Sequence, residues 1–514
     1  MSTLPKGIVA AGHPDTAAAA TEILATGGNA FDAVVAAHLA ACVVEPVLAS
    51  LGGGGYLLSH DGHQTRLFDF FVQTPGRKRP PEEVEFFPIH ADFGTTRQEF
   101  HIGRGAIATP GVVRGLWQIQ RRLGRLPMTE VARPAIDLAR HGVVVNDFQA
   151  YIFDIVSPIY RAQSETFATY RSPKHPDRLV QAGERLRQPR LADTIEALAR
   201  EGEVLFYEGE IAAAVAALCA EGGLLTRADL ETYPVIERRP LWLRYRDAEI
   251  LTNPPPSSGG ILIAFSLELL SHFDLHALRF GGPEHAGLLT AVQDLTRQVR
   301  RDLDLDDTRP GRRPALLAPT VLTRYLDQLA HHPLCRRGTT HISVMDAEGN
   351  CASLTTSNGE GCGWLIPGTG IMLNNMLGEA DLNPHGFFQW PCDTRMTSMM
   401  APSLARLPGC TVALGSGGSN RLRTAILQVL VNLIDFRMPL AEAVAAPRLH
   451  LEEGVVNLEP GFEETAVARL ASNYAVKAWP APNLFFGGVH AVARGPEEFE
   501  GTGDPRRGGV CRRV

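Results

Sequence analysis

Residues 338–357 run GTTHISVMDAEGNCASLTTS, and the fold turns on how this stretch pairs with itself. THISVMD and CASLTTS are β-type runs, and DAEGN between them supplies the Asp, Gly and Asn that turns favour. Folded as an antiparallel hairpin about Glu348, the two runs set Thr339 against Ser357. A slip of one residue would turn every side chain to the other face. The first strand starts abruptly, on two threonines that follow Gly338 and a basic stretch. Ordinary strand entry explains this, since Thr suits strands and Gly ends loops. So does the alternative, in which Thr339 becomes a new N-terminus.

The chemistry of threonine separates the two. Its hydroxyl is barely ionised at neutral pH and needs a base within hydrogen-bond reach, which a free α-amino group on the same residue supplies. That amine has an ordinary pKa of about 7.7–8.0, so it can take a proton in one step and return it in the next. An internal threonine has no such amine. The nucleophile reading therefore requires a cut between Gly338 and Thr339, where glycine tolerates a strained backbone. A second glycine cluster, ALGSGGSNR at 413–421, ends a strand and opens a helix. Consecutive backbone N–H groups there can form an oxyanion hole, or simply a tight turn. The cluster matches neither common phosphate-binding glycine pattern.

Outward from the hairpin, PDTAAAATEILATGG and NAFDAVVAAHLAACVV predict two core-facing helices, the second capped by Asn29. A four-glycine loop then leads into a hairpin over YLLSHDGHQTRLFDFF. MTEVARPAIDLARHG and LADTIEALAREG predict helices layered on a sheet, and YPVIERRPLWLRYRDAEILT predicts strands before the helix in ILIAFSLELLSHF. Further strands are expected in GIMLNNM, PSLARL and CTVALGSGG, and a helix in RTAILQVLVNLIDF. The main boundary falls at Arg337, after a charged, linker-like stretch.

The whole chain has 514 residues, 45% of them hydrophobic, and a formal net charge of −7 with both signs well mixed. That suffices for one large core or a few ordinary ones, and leaves no basic stripe to follow a phosphate backbone, so no nucleic-acid partner is expected. The apolar run at 33–44 is too short to span a bilayer and is interrupted by His38. With no charged and apolar leader at the start, a cytoplasmic location and no membrane association are expected. The cysteines lack metal-type spacing, and His331, His332 and Cys335 have no companion ligand pair, so no metal or other cofactor is called for.

Taken together, GGNAFDAVVAAHLAACVVEPVLASLGGGGYLL, PGVVRGLW, PAIDLARHGVVVND, PPPSSGG, GTTHISVMDAEGN, GIMLNNM, MTSMMAPSL and GSGGSNR resemble, in order, the γ-glutamyltransferases, which are N-terminal-nucleophile hydrolases. The resemblance runs from about residue 7 to residue 430. It implies an α+β fold, a four-layer αββα sandwich with two stacked antiparallel sheets between helices. It also implies a zymogen that cuts itself before Thr339 into a large subunit, 1–338, and a small subunit, 339–514, which stay together as one catalytic domain. Thr339 would be the nucleophile, Ser357 the supporting hydroxyl, and the backbone of Gly418 and Ser419 the oxyanion hole. Thr397 and Ser398 match the serine pair that holds the substrate carboxylate, and Glu379 falls where an Asp binds the substrate amine.

The departures bear on substrate. Relatives that use glutathione carry an Arg in a Leu-Asp-Phe-Arg strand, and here FDFF places Phe71 there. A guanidinium grips a carboxylate through two charge-assisted hydrogen bonds, which phenylalanine cannot do. Gly359 stands where many relatives have Asn, and Met376 where they have Gln or Glu. A site that has lost polar groups discriminates less sharply against acyl groups lacking the matching ones. The expected activity is cleavage of a γ-glutamyl-like amide, a small-molecule substrate, in glutathione-type metabolism. An acylase for glutaryl-type side-chain amides and an uncut, inactive binding homologue are the alternatives.

Overall fold

The computed structural model describes residues 5–92, 97–304, 317, 321, 322, 325, 339–418, 421–496 and 498–514. Gly338 and Ser419 lie outside the described residues.

The hairpin forms in the expected register. Strand Thr340–Asp346 pairs antiparallel with Cys351–Ser357, placing Thr340 opposite Thr356 and His341 opposite Thr355. It sits at the centre of a seven-stranded sheet ordered Val510–Arg513, Gly7–Ala11, Thr340–Asp346, Cys351–Ser357, Gly54–His60, Thr65–Phe70, Ile236–Arg238. A second sheet of six strands is ordered Phe499–Thr502, Gly488–Arg494, Cys410–Gly417, Ser403–Leu407, Ala248–Thr252, Leu241–Tyr245. Neighbouring strands are antiparallel in both. Each sheet takes strands from both sides of Thr339.

Strand alternation builds the layers. On one face of the hairpin Ile342, Val344, Ala352 and Leu354 join the core formed with helices Pro14–Ala25, Ala30–Val44 and Met128–His141. On the other face Met345 and Cys351 join Ile8, Tyr56, Leu404, Ala413 and Val492 between the sheets. Helices Ser258–Ser271 and Arg421–Ile434 cover the far side of the six-stranded sheet. The result is an αββα sandwich.

The inter-sheet layer is unusually polar beside Thr339. His341 Nδ1 lies 2.7 Å from Thr355 Oγ1 and its Nε2 2.9 Å from Ser343 Oγ. Ser353 donates to the Leu414 carbonyl across the sheets at 3.1 Å. Burial, and then the neighbouring His490, hold the His341 pKa well below its ordinary value. The ring is therefore a neutral member of a satisfied network.

One expected strand is absent. GIMLNNM forms only isolated bridges at Met372 and Leu373, then a 3-10 turn over Met376–Gly378. Asn374 is the cause: its side chain donates to the carbonyls of Gly52 and Ala108 at 2.8 and 2.9 Å and accepts from the Ala108 N–H at 3.1 Å. A side-chain amide thus does what a neighbouring strand would do.

Candidate active site

At the edge of the inter-sheet layer, Thr339 and Ser357 line an open pocket holding about 340 Å³ of empty space. They meet there because the hairpin register continues one step past Thr340 and Thr356. Ser357 Oγ accepts the Gly359 N–H at 3.0 Å, which orients the hydroxyl at the strand's end. The Thr339 carbonyl accepts from Arg507 Nη1 at 2.9 Å.

Much of the remaining wall is apolar. Phe71, Met376, Leu382, Met399, Met400 and Leu422 line it, with Glu379, Asp381 and Ser398 as its other polar members. Phe71 is 1% exposed and its ring stacks on Tyr56, centroids 5.5 Å apart. Its N–H donates to Asp69 Oδ1 at 3.0 Å, and its carbonyl accepts from Tyr233 at 2.6 Å and from Arg395. Arg395 also lies 3.5 Å from the buried Asp69 carboxylate and donates to the Pro234 carbonyl at 2.5 Å. This guanidinium is close behind Phe71 but is spent on holding the strand end.

Glu379 is 6% exposed and belongs to the pocket wall, not to the surface. Gly359 lies against it. With φ of +64°, Gly359 occupies the left-handed region, and a Cβ there would stand 2.2 Å from Glu379 Oε1 and 2.1 Å from Asn375 Oδ1. A side chain at 359 would require the Glu379 carboxylate and the Asn375 amide to move aside.

The segment 396–400 is carried by the PPPSSGG loop. Ser257 Oγ donates to the carbonyls of Ser398 and Met400 at 2.8 and 2.9 Å, and the Ser258 N–H donates to the Ser398 carbonyl at 2.8 Å. Ser398 faces the pocket. The neighbouring Thr397 hydroxyl donates to the Pro256 carbonyl at 3.1 Å. Met399 adds an apolar position to the wall beside Ser398.

Strand Cys410–Gly417 ends beside Thr339, and helix Arg421–Ile434 begins after the turn, as the glycine cluster suggested. A Cβ on Gly417 would meet the Thr339 carbonyl oxygen at 2.0 Å, so only glycine allows this approach. Gly418, with φ of +120°, follows it. It lies one residue beyond the glycine packed on the Thr339 carbonyl.

The structure thus brings together Thr339, Ser357, Phe71, Met376, Glu379 and Ser398. Sequence reasoning missed Asp381, Leu382, Met399, Met400, Leu422 and Arg507. Met399 and Met400 stood inside the quoted MTSMMAPSL, whereas Arg507 lies in a C-terminal stretch with no motif to mark it. Among the described residues no cluster of His, Cys, Asp and Glu could hold a metal ion, and no helix is long and apolar enough to cross a membrane.

Comparison with known proteins agrees with this fold. The family model described as Gamma-glutamyltranspeptidase matches residues 16–513. An Acylase ACY 1 proenzyme from Pseudomonas sp. (strain V22) is 34% identical over 520 residues, covering 96% of this chain and 91% of the relative. The Glutathione hydrolase proenzyme of Escherichia coli (strain K12) is 29% identical, covering 98% and 90%. The crystal structure of cephalosporin acylase from Bacillus halodurans superposes with a TM-score of 0.85 at 23% identity, covering 99% of this chain and 96% of that one. This last likeness bears on fold alone.

Proposed function

The chain belongs to the gamma-glutamyltranspeptidase family, and from that premise we propose that it hydrolyses small-molecule amides through an acyl ester on Thr339, freed by self-cleavage after Gly338. Relatives of this kind are named as proenzymes, both glutathione hydrolase and acylase. The observation that carries the reading is the pairing of Thr339 and Ser357 on the wall of one pocket.

In this mechanism the Thr339 amine takes the hydroxyl proton as the oxygen attacks the amide carbonyl carbon. Negative charge on the former carbonyl oxygen is met by backbone N–H groups at the Gly418 turn. As the C–N bond breaks, the amine passes its proton to the leaving nitrogen, and the acyl group remains as an ester on Thr339. Water, or a second amine, then attacks the ester and gives its proton to the same base, restoring the hydroxyl.

For the acyl group, Glu379 supports a γ-glutamyl-like head, because a buried carboxylate beside the nucleophile suits an ammonium group. Phe71 and Met399 leave the carboxylate of such a head with Ser398 as its hydroxyl partner in the wall. A second reading, an acylase for acyl groups lacking the amine, is favoured by the apolar faces of Phe71, Met376, Met399 and Met400.

On a denaturing gel the purified protein is expected to run as two pieces, the smaller beginning at Thr339, and Thr339→Ala to leave a single inactive chain. A wild-type chain that stays whole would overturn both readings. Comparing a γ-glutamyl anilide with a glutaryl anilide divides them, since faster turnover of the glutaryl compound selects the acylase.

A further inference from the structure

Arg507 is 5% exposed and sits directly behind the nucleophile, in the turn after Asp504. Its Nη1 donates to the Thr339 carbonyl at 2.9 Å. The surrounding backbone is cut away to admit it. A Cβ on Gly488 would meet Arg507 Cδ at 2.4 Å, one on Gly417 would meet Nη1 at 2.9 Å, and one on Gly418 would meet Nη2 at 3.3 Å. The glycine cluster therefore makes room for a guanidinium as well as for the turn.

We propose that Arg507 is a positioning residue for Thr339, anchoring the carbonyl of the nucleophile residue so that its amine and hydroxyl are aimed together, and favouring the neutral amine by its charge. The inference rests on the reading that Thr339 is an N-terminal nucleophile. A new N-terminus is free to rotate about its own backbone bonds, and a hydrogen bond to its carbonyl removes much of that freedom. A fixed cation nearby also raises the cost of placing a proton on the amine, which must be neutral to act as a base.

The groups that face Arg507 set the balance. They are Arg421 at the start of helix Arg421–Ile434, Glu360 after strand Cys351–Ser357, Glu45 at the end of helix Ala30–Val44, Asp504 in its own turn, and His490 on strand Gly488–Arg494. Burial, and then Arg421, draw the Arg507 pKa down to about 10 against Glu360, Asp504 and Glu45, so it stays charged at neutral pH. Asp504 is itself bound by Arg448 at 2.7 Å and Arg506 at 3.2 Å. Glu45 is the counter-charge whose ionisation falls in the working range, burial having pushed its pKa up to about 7 against the Thr16 hydrogen bond and Arg507.

The test is the pH profile of kcat/KM on whichever anilide the cut wild-type enzyme turns over. In Arg507→Gln the acid limb should move up by about one pH unit, because removing a neighbouring cation raises the pKa of the amine. Arg507→Lys, which keeps the charge, should hold the limb in place while lowering kcat. Glu45→Gln removes an anion and should move the limb the other way, by less. A slower Arg507→Gln enzyme with an unmoved limb would overturn the proposal. Should that variant not fold or not cut itself, an unmoved limb in Glu45→Gln overturns it instead. A wild-type chain that stays uncut sinks both this inference and the proposed function, whereas a cut enzyme whose limb ignores both substitutions sinks only this one.

Discussion

Gly359 and Glu379 make one change out of what look like two. The resemblance expects a side chain at 359 and a shorter acid at 379, and the structure shows the longer carboxylate of Glu379 reaching the space that 359 has vacated. Gly359→Ala would therefore strain a left-handed backbone and drive a Cβ into two side-chain oxygens. A loss of about 2 kcal/mol is expected, roughly half from the backbone and half from displaced neighbours. The urea midpoint should fall, and activity with it; an unchanged midpoint would show that the pocket loop gives way freely. The residue types were legible in the sequence, but their coupling was not, because adjacency of side chains across a loop has no periodicity to betray it. A loop residue likewise does not announce its partners in the sequence, and Thr397 gives its hydroxyl to the Pro256 carbonyl.

At the scale of elements, the strand that opens beside Thr339 and the helix beneath it are tied end to end. Asp346, the last residue of strand Thr340–Asp346, accepts from the Ala30 N–H at 2.9 Å and from the Asn350 N–H and Nδ2 at 2.9 and 2.7 Å. It thus adds a second acceptor to the start of helix Ala30–Val44, already closed by the reciprocal Asn29 and Asp32 bonds. Burial holds the Asp346 pKa above the ordinary carboxylate value, so these hydrogen bonds only partly offset its desolvation. Asp346→Ala leaves buried N–H groups unpaired and is expected to cost about 2–3 kcal/mol, read as a lower urea midpoint at unchanged slope. A cost below about 0.5 kcal/mol would mean that water replaces the carboxylate. The hairpin, the capping residue and the strand-to-helix glycine turn were all legible, each being local chemistry. GIMLNNM was not, since its apolar pattern matched a strand while Asn374 supplied the partner a strand would have needed.

At the scale of the molecule, the buried histidines decide the response to acid. Burial holds His38, His285 and His490 at about 4, and His341 well below its ordinary value. A histidine depressed in the folded state contributes stability that is present above the unfolded value of about 6.5 and lost as pH falls. Glu45, raised to about 7, acts in the opposite sense: its contribution is present at low pH and is lost as pH rises through that value. His13 and His60 are lowered too, while Asp32 and Asp346 are raised and side with Glu45; with each group limited to about 1.4 kcal/mol per pH unit, the histidines outnumber the carboxylates and win. Stability should fall by on the order of a few kcal/mol as pH is lowered from 7 to 5, read as a lower Tm; a Tm that rises over this range would put the raised carboxylates, Glu45 first, in control. The layered class of the fold was legible from the order of its motifs, but the interleaving of strands was not, because pairing between distant segments leaves no local trace. That interleaving bears on how the gene could be rearranged. Gly7 and Val514 exchange both backbone hydrogen bonds, at 3.1 and 3.0 Å, on the sheet that also holds the strand opening just after Thr339. A short peptide from Val514 to Gly7 would permit a circularly permuted reading frame that opens on Thr339, with an initiator methionine as the one residue left to remove. Activation would then pass from the protein's own chemistry to the machinery that trims every nascent chain.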